Sequence, residues 1–148
     1  MRLEPQNLSN DAAIRPDGLT LQPWSHGKGL LWDATVRDSF APSYRALART
    51  PGAVAAKAES DKRTHYAAML EDYVFVAFVV ESTGVWGKEA LSFIKKIGKR
   101  IESISGEARS TAFLKQRISL AVQRGNSRMI LSSLMRQGGS GMDELSEL

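Results

Sequence analysis

Cysteine is absent from this 148-residue chain, and histidine occurs only twice, at His26 and His65. The lack of cysteine excludes disulfide scaffolds, thiolate zinc sites, iron–sulfur clusters and thiol nucleophiles. No apolar run approaches the roughly 20 residues of a membrane span, and residues 1–16 lack the apolar core of a signal peptide. We therefore expect a soluble intracellular protein without a membrane partner, located in the nucleus if the host is a eukaryote.

Acidic residues are scarce in one part of the chain. Residues 84–137 hold 11 lysines and arginines against 3 acids, whereas residues 1–83 hold 9 against 10, and residues 138–148 hold three acids and no base. A basic half favours a polyanionic partner such as nucleic acid. The alternative is that these bases only solvate the faces of helices.

Hydrophobic periodicity predicts a single α/β domain, bordering on α+β, with a mixed sheet flanked by helices. Strands are predicted at 18–24, 30–36 and 74–80, and the first two are joined by a hairpin turn at 25–29. The run of seven apolar residues at 74–80 is typical of a strand buried on both faces, as in a parallel pairing.

Helices are predicted at 53–70, 88–104 and 110–124. A break at Gly125–Asn126 precedes a last helix that ends near Arg136. One side of helix 88–104 is predicted to be apolar, with Ala90, Ile94, Ile97, Ile101 and Ile104. We place an irregular lead-in at 1–14, the domain at 15–137 and a disordered tail at 138–148.

Two aspartates are predicted to lie at the same end of the hairpin. Asp17 stands at the entry to the first strand and Asp33 within the second, and the start of one antiparallel strand lies beside the end of the next. Two neighbouring acids repel each other, and oxygen ligands with open water positions suit Mg²⁺ or Mn²⁺. The alternative is that Asp33 caps a loop amide or pairs with Arg15 or Arg37.

A lysine interrupts an otherwise apolar stripe on the helix predicted at 53–70. Spacings of three and four residues place Lys62 on the helix face that holds Ala55, Ala58, Tyr66 and Met69. Since an apolar stripe faces the sheet, Lys62 is predicted to point towards the two acids, where its ammonium can stabilise developing charge. The alternative is that its head group reaches solvent.

Four segments together resemble the restriction-endonuclease-like domain of certain non-LTR retrotransposon polyproteins, a branch of the PD-(D/E)XK nuclease superfamily. They are RPDGLTL (15–21), WDATVRD (32–38), AKAESDKRTHY (56–66) and VVESTGVWGKEALSF (79–93). The resemblance covers roughly residues 2–125, and the ordered set of Pro-Asp, strand Asp and helical Lys-(x)3-Tyr carries it.

The resemblance implies metal-dependent hydrolysis of DNA phosphodiester bonds. It assigns Asp17 and Asp33 as metal ligands, with Mg²⁺ or Mn²⁺ as cofactor, and Asp17, Asp33 and Lys62 as catalytic residues. Thr35 stands where the motif usually has its lysine, so Lys62 is assigned that role from the helix. Only about fourteen irregular residues, 1–14, precede the Arg15-Pro16-Asp17 segment, where the superfamily core usually has a helix and a strand. The alternative is a catalytically inactive, domesticated remnant that binds nucleic acid or another partner.

A basic surface is predicted to contact DNA phosphates through side chains of helix 88–104 that lie away from the isoleucine stripe. These side chains are Lys95, Lys96, Lys99 and Arg100. Glu81, at the end of the buried strand, is a possible further ligand or a carboxylate that accepts from loop amides. The roles of His65 and Tyr66, the DNA target and the oligomeric state are left open by the sequence.

Overall fold

The structure is a computed structural model that describes residues 2–3 and 14–139. Its sheet contains the strands Arg2–Leu3 (β1), Gly18–Leu19 (β2), Gly29–Arg37 (β3) and Tyr73–Glu81 (β4). The spatial order is β1-β2-β3-β4. The pairs β1–β2 and β2–β3 are antiparallel, whereas β3–β4 is parallel. The predicted mixed sheet with a parallel partner for β3 is therefore confirmed.

Three α-helices flank this sheet, namely Ala53–His65 (α1), Lys88–Ser105 (α2) and Ser110–Gly139 (α3). Short 3₁₀ turns lie at Pro42–Tyr44, Leu47–Arg49 and Ala67–Met69. Alternation along β4 sends Phe75, Ala77 and Val79 to a core shared with Ala55 and Ala58 of α1. The opposite face of β4 packs on α2, where Phe78 and Phe93 have ring centroids 6.3 Å apart. The predicted α/β class, with helices on both faces, is confirmed.

The first hairpin strand is shorter than the predicted 18–24. After Leu19, Thr20 Oγ1 accepts a hydrogen bond from the Leu30 N–H and donates one to the Gln22 carbonyl, so a side chain replaces part of the ladder. The predicted turn is present, because Ser25 and Lys28 pair across it. His26 and Gly27 both have positive φ, at 50° and 73°, as a type I′ turn requires.

The prediction that β4 is buried on both faces is confirmed, since none of its residues is exposed. The face towards α2 is less deeply buried, so that burial alternates from Val74 to Val79. The outer edge of β4 pairs with no further strand among residues 2–3 and 14–139. Loop and side-chain groups satisfy that edge instead. Gly87 N–H donates to Val79 O at 2.8 Å, and Ala77 N–H donates to Glu89 Oε2 at 3.0 Å.

The predicted break in the last helix is wrong. α3 runs without interruption through Gly125–Asn126, because a glycine in a helix costs only about 1 kcal/mol and Asn126 Nδ2 anchors the helix by donating to Ser82 O at 2.9 Å. The apolar side of α2 is buried only up to Gly98. Ile101 and Ile104 are exposed, because they lie beyond Gly98, where Thr111 at the start of α3 meets α2.

The predicted lead-in at 1–14 is wrong for Arg2–Leu3, which pair with Leu19 and Gly18 as β1. Residues 4–13 lie outside the described part of the chain. Of the predicted tail at 138–148, the first two residues belong to α3, and residues 140–148 lie outside the description. None of the helices in the described ranges combines the length and apolar character needed to cross a membrane.

Candidate functional site

A buried aspartate lies on the apolar face that β3 turns towards α1. Asp33 is 5% exposed, and the parallel ladder pairs it with Ala77, a member of the core on that face. An isolated carboxylate would be strongly disfavoured there. Lys62 Nζ lies 2.5 Å from Asp33 Oδ2 and compensates its charge. The alternatives in which Asp33 pairs with Arg15 or Arg37 are therefore not what the fold contains.

The position of Lys62 follows from the helical stripe on which it lies. Ala55, Ala58, Tyr66 and Met69 are all buried, so this side of α1 and the turn after it faces the sheet. The Lys62 side chain lies between these apolar neighbours and is 22% exposed. The predicted inward orientation of Lys62 is confirmed, and the alternative of a solvated ammonium is wrong.

Asp17 lies beside Asp33 because of the hairpin register. The register pairs Gly18 with Trp32, and one further step places Asp17 opposite Asp33 with both side chains on the same face. Asp17 Oδ2 accepts a hydrogen bond from the Ala34 N–H at 2.6 Å. The carboxylate thus extends the ladder beyond the end of β2 and is held against β3.

The environment of Asp17 disfavours its charged form. Burial is the largest cause that raises the pKa of Asp17, and the neighbouring Asp33 carboxylate raises it further. The Ala34 N–H and the Lys62 ammonium act in the opposite direction. Two carboxylates therefore share a single ammonium, and the group carries an excess negative charge when both are ionised.

Tyr66 forms the apolar wall of this group. It is 2% exposed, and its ring lies 4.8 Å from that of Phe75 and 5.0 Å from that of His65, centroid to centroid. Burial raises the pKa of Tyr66, and the negative charge of Asp33 raises it further. Its phenol therefore stays protonated at neutral pH and adds no charge to the group.

The donor set was tested for a divalent cation. Among residues 2–3 and 14–139, no cluster of three or more carboxylate or imidazole side chains has the spacing of a metal site. Mg²⁺, however, is commonly held by one or two carboxylates and keeps several water ligands. Asp17 and Asp33 meet that smaller requirement, since the two carboxylates are adjacent and share one ammonium.

Two further residues singled out in the sequence have other surroundings. Glu81 is buried and accepts hydrogen bonds from the Ala55 N–H at 3.1 Å and from Ser39 Oγ at 3.0 Å. Glu81 therefore anchors the first turn of α1 by accepting a hydrogen bond from a backbone amide, which agrees with its interpretation as an amide acceptor; the amide belongs to a helix and not to a loop. His65 is exposed and packs its ring edge-on against Tyr66.

The four bases predicted to contact DNA lie on α2, on the other face of the sheet from Asp33. Lys95, Lys96 and Lys99 are exposed. The Arg100 guanidinium stacks 3.8 Å above the Trp24 ring and donates to the Trp24 carbonyl at 3.2 Å. Arg100 therefore holds the hairpin turn against α2, which leaves the three lysines as the solvated part of this surface.

Sequence reasoning missed a network of two carboxylates, one buried and one partly buried, that links α1 to α2. Glu59 Oε1 accepts from the Glu89 N–H at 2.9 Å, and Glu89 Oε1 lies 2.5 Å from Arg63 Nε. Burial is the main cause that raises the pKa of Glu59. The available signal was the acid in the first turn of α2, where carboxylates are favoured, but nothing in the sequence shows that Glu59 reaches it.

The chain was compared with models of protein families, with curated proteins and with solved structures, and none of them matched.

Proposed function

We propose that this domain hydrolyses phosphodiester bonds in DNA with a divalent cation held by Asp17 and Asp33. One observation carries the proposal: two adjacent carboxylates, one of them with a raised pKa, face a single lysine that reaches them from α1. This is the chemistry that phosphodiester hydrolysis requires, namely acids for a cation and an ammonium for the charge that develops at phosphorus.

Each residue has a separate task in this proposal. Mg²⁺ or Mn²⁺ bound by Asp17, Asp33 and the Ala34 carbonyl would polarise the phosphate and lower the pKa of a water. A cation held by Asp17 and Asp33 would compensate the Asp33 carboxylate, so that Lys62 Nζ could donate a hydrogen bond to the attacking water or to a non-bridging oxygen of the phosphate. In this reaction the water oxygen would bond to phosphorus and release one proton to solvent, while the bond from phosphorus to the leaving sugar oxygen breaks and that oxygen takes up a proton from solvent.

A second candidate is the nucleic-acid-binding remnant that does not cut. The direct ion pair between Lys62 and Asp33 favours it, since the buried charge of Asp33 is already compensated without a cation. Thr35 in place of the usual motif lysine favours it also. The solvated lysines of α2, Lys95, Lys96 and Lys99, would serve either candidate.

A plasmid cleavage assay with Mg²⁺ and Mn²⁺ separates the two candidates. The variants Asp33→Asn and Lys62→Met are compared with Asp61→Asn and Lys57→Met, because Lys57 and Asp61 form an exposed ion pair on the same helix. We expect the parent and both control variants to cut and both site variants to lose cutting. A parent that binds DNA without cutting supports the remnant, and cutting by Asp33→Asn at the parent rate refutes the site assignment.

A further inference from the structure

The last turns of α3 extend beyond the rest of the fold with an exposed apolar face. All residues from 127 to 136 are exposed, and within the part of the chain that the structure describes Asn126 is the last residue whose side chain forms a hydrogen bond to another element. The exposed set includes large apolar side chains that a monomer normally covers. They are Met129, Ile130, Leu131, Leu134 and Met135.

This apolar face is narrow and has a basic border. Ile130 and Leu134 are four residues apart, as are Leu131 and Met135, so these four share one side of the helix. Arg124 and Arg128 precede Leu131 by seven and three residues and therefore line the same side. The 30 residues of α3 contain five lysines and arginines and no acid. An occupant of this face must combine apolar side chains with negative charge.

We propose that residues 142–148 of the same chain occupy this face. Their sequence, MDELSEL, has apolar residues at every third position, Met142, Leu145 and Leu148, with three acids between them. The apolar residues match the uncovered side of α3, and the three acids match its arginines. The proposal is independent of the proposed nuclease activity, because it depends only on the surface of α3 and on the charges of this segment.

The distances along the chain allow this contact. Residues 138–141 read Gly-Gly-Ser-Gly, a composition that favours reversal of the chain direction at the end of a helix. The face from Ile130 to Arg136 is about 9 Å long at the helical rise per residue. Seven residues reach at most about 25 Å when extended, so the segment can cover the whole face after one reversal.

Charge argues against the other occupants. Two copies of α3 packed through this face would place Arg124 and Arg128 of one helix close to those of the other, with no acid in either helix to compensate them. A nucleic acid would pair with Arg124 and Arg128 but would leave the leucines and methionines uncovered.

The test uses the absence of cysteine in the chain. Ser146→Cys in the full chain provides one attachment point for a nitroxide, and the amide signals of a ¹⁵N-labelled sample report which residues lie near it. We expect residues 128–136 of α3 to lose most of their signal intensity, and residues of α1 to keep theirs. Unchanged intensities across α3 refute the proposal.

Three controls test whether the acids of this segment cause the signal loss and whether the contact forms within one chain. The triple variant Asp143→Asn, Glu144→Gln, Glu147→Gln, made in the labelled chain, should restore the signals of α3. Glu102→Gln changes an exposed acid of α2 and should restore nothing. A mixture of nitroxide-labelled chain without ¹⁵N and ¹⁵N-labelled chain without nitroxide should show no loss of signal intensity. Signal loss in that mixture would identify a second copy as the occupant and overturn the proposal.

Discussion

Replacing Lys62 by methionine isolates the electrostatic part of the candidate site. Methionine keeps most of the volume and the apolar stem of lysine but removes the ammonium. Asp33 would then be a buried carboxylate beside Asp17 with no cation near it. We expect the free energy of unfolding at pH 7 to fall by about 3 kcal/mol, the lower end of the range for removing one partner of a buried ion pair, because Lys62 is partly exposed.

The pH dependence of this loss distinguishes charge from packing. The Lys62 ammonium lowers the pKa of Asp17, so this pKa rises further in Lys62→Met. A carboxyl group whose folded-state pKa is raised destabilises the fold above that pKa, and the penalty disappears as the pH falls towards the unfolded value of 3.8. The difference in stability between parent and variant should therefore be largest at neutral pH and shrink on acidification.

Urea denaturation between pH 4 and 8 measures this difference. Lys57→Met is the matched control, since its exposed pair with Asp61 is worth only about 0.3–0.5 kcal/mol. Mg²⁺ should stabilise Lys62→Met more than it stabilises Lys57→Met if the two acids bind the cation. A Lys62→Met variant as stable as Lys57→Met, or a loss that is the same at pH 4 and pH 7, would refute the reasoning.

Further predictions concern the packing of the helices and the basic surface. In Gly98→Ala the new Cβ would lie 2.8 Å from Thr111 Cα, so we expect the free energy of unfolding to fall by about 1–3 kcal/mol. In Gly125→Ala the new Cβ meets nothing within 4 Å, so the free energy of unfolding should rise by about 0.5–1 kcal/mol. Equal effects of the two variants in denaturation curves would contradict this. Because the pKa of Glu59 is raised, the parent should gain stability relative to Glu59→Gln as the pH falls from 7 towards 4.5, the ordinary value for this carboxyl group; a difference that does not change with pH would count against it. Glutamine at the three solvated lysines of α2, Lys95, Lys96 and Lys99, should make the slope of log K for DNA binding against log salt concentration shallower by about 0.9 for each phosphate that is no longer neutralised. An unchanged slope would exclude these lysines from the interface.

The arrangement of the three site residues could be predicted because short-range periods determine it. The two-residue period of a strand and the antiparallel register place Asp17 opposite Asp33. The 3.6-residue period of a helix places Lys62 among buried alanines. Neither inference requires a distance between two elements as input. Once α1 packs on this face of the sheet, the packing itself sets the distance between Lys62 and the two aspartates.

The features that sequence reasoning missed depend on contacts between elements. Gly125–Asn126 looks like a helix stop, but the weak local preference is outweighed when Asn126 is held by the Ser82 carbonyl. The end of the buried side of α2 at Gly98 depends on where Thr111 crosses it. The reach of Glu59 to Glu89 spans 30 positions, and no period within one element encodes it.

The position of Lys62 depends on how the first turn of α1 is held. Gly52 offers no side-chain cap to α1, and the Glu81 carboxylate accepts a hydrogen bond from the Ala55 N–H instead. The negative charge of this carboxylate therefore lies at the positive end of the helix dipole. Glu81→Ala should cost about 1–3 kcal/mol by leaving this buried N–H without a partner, while Glu81→Gln, which keeps an acceptor oxygen, should restore most of the stability. If Glu81 acts as a positioning residue, the alanine variant should also weaken the Lys62–Asp33 pair, and the pH dependence of its stability should approach that of Lys62→Met. An alanine variant with the stability and the pH profile of the parent would show that α1 is held in place without this carboxylate.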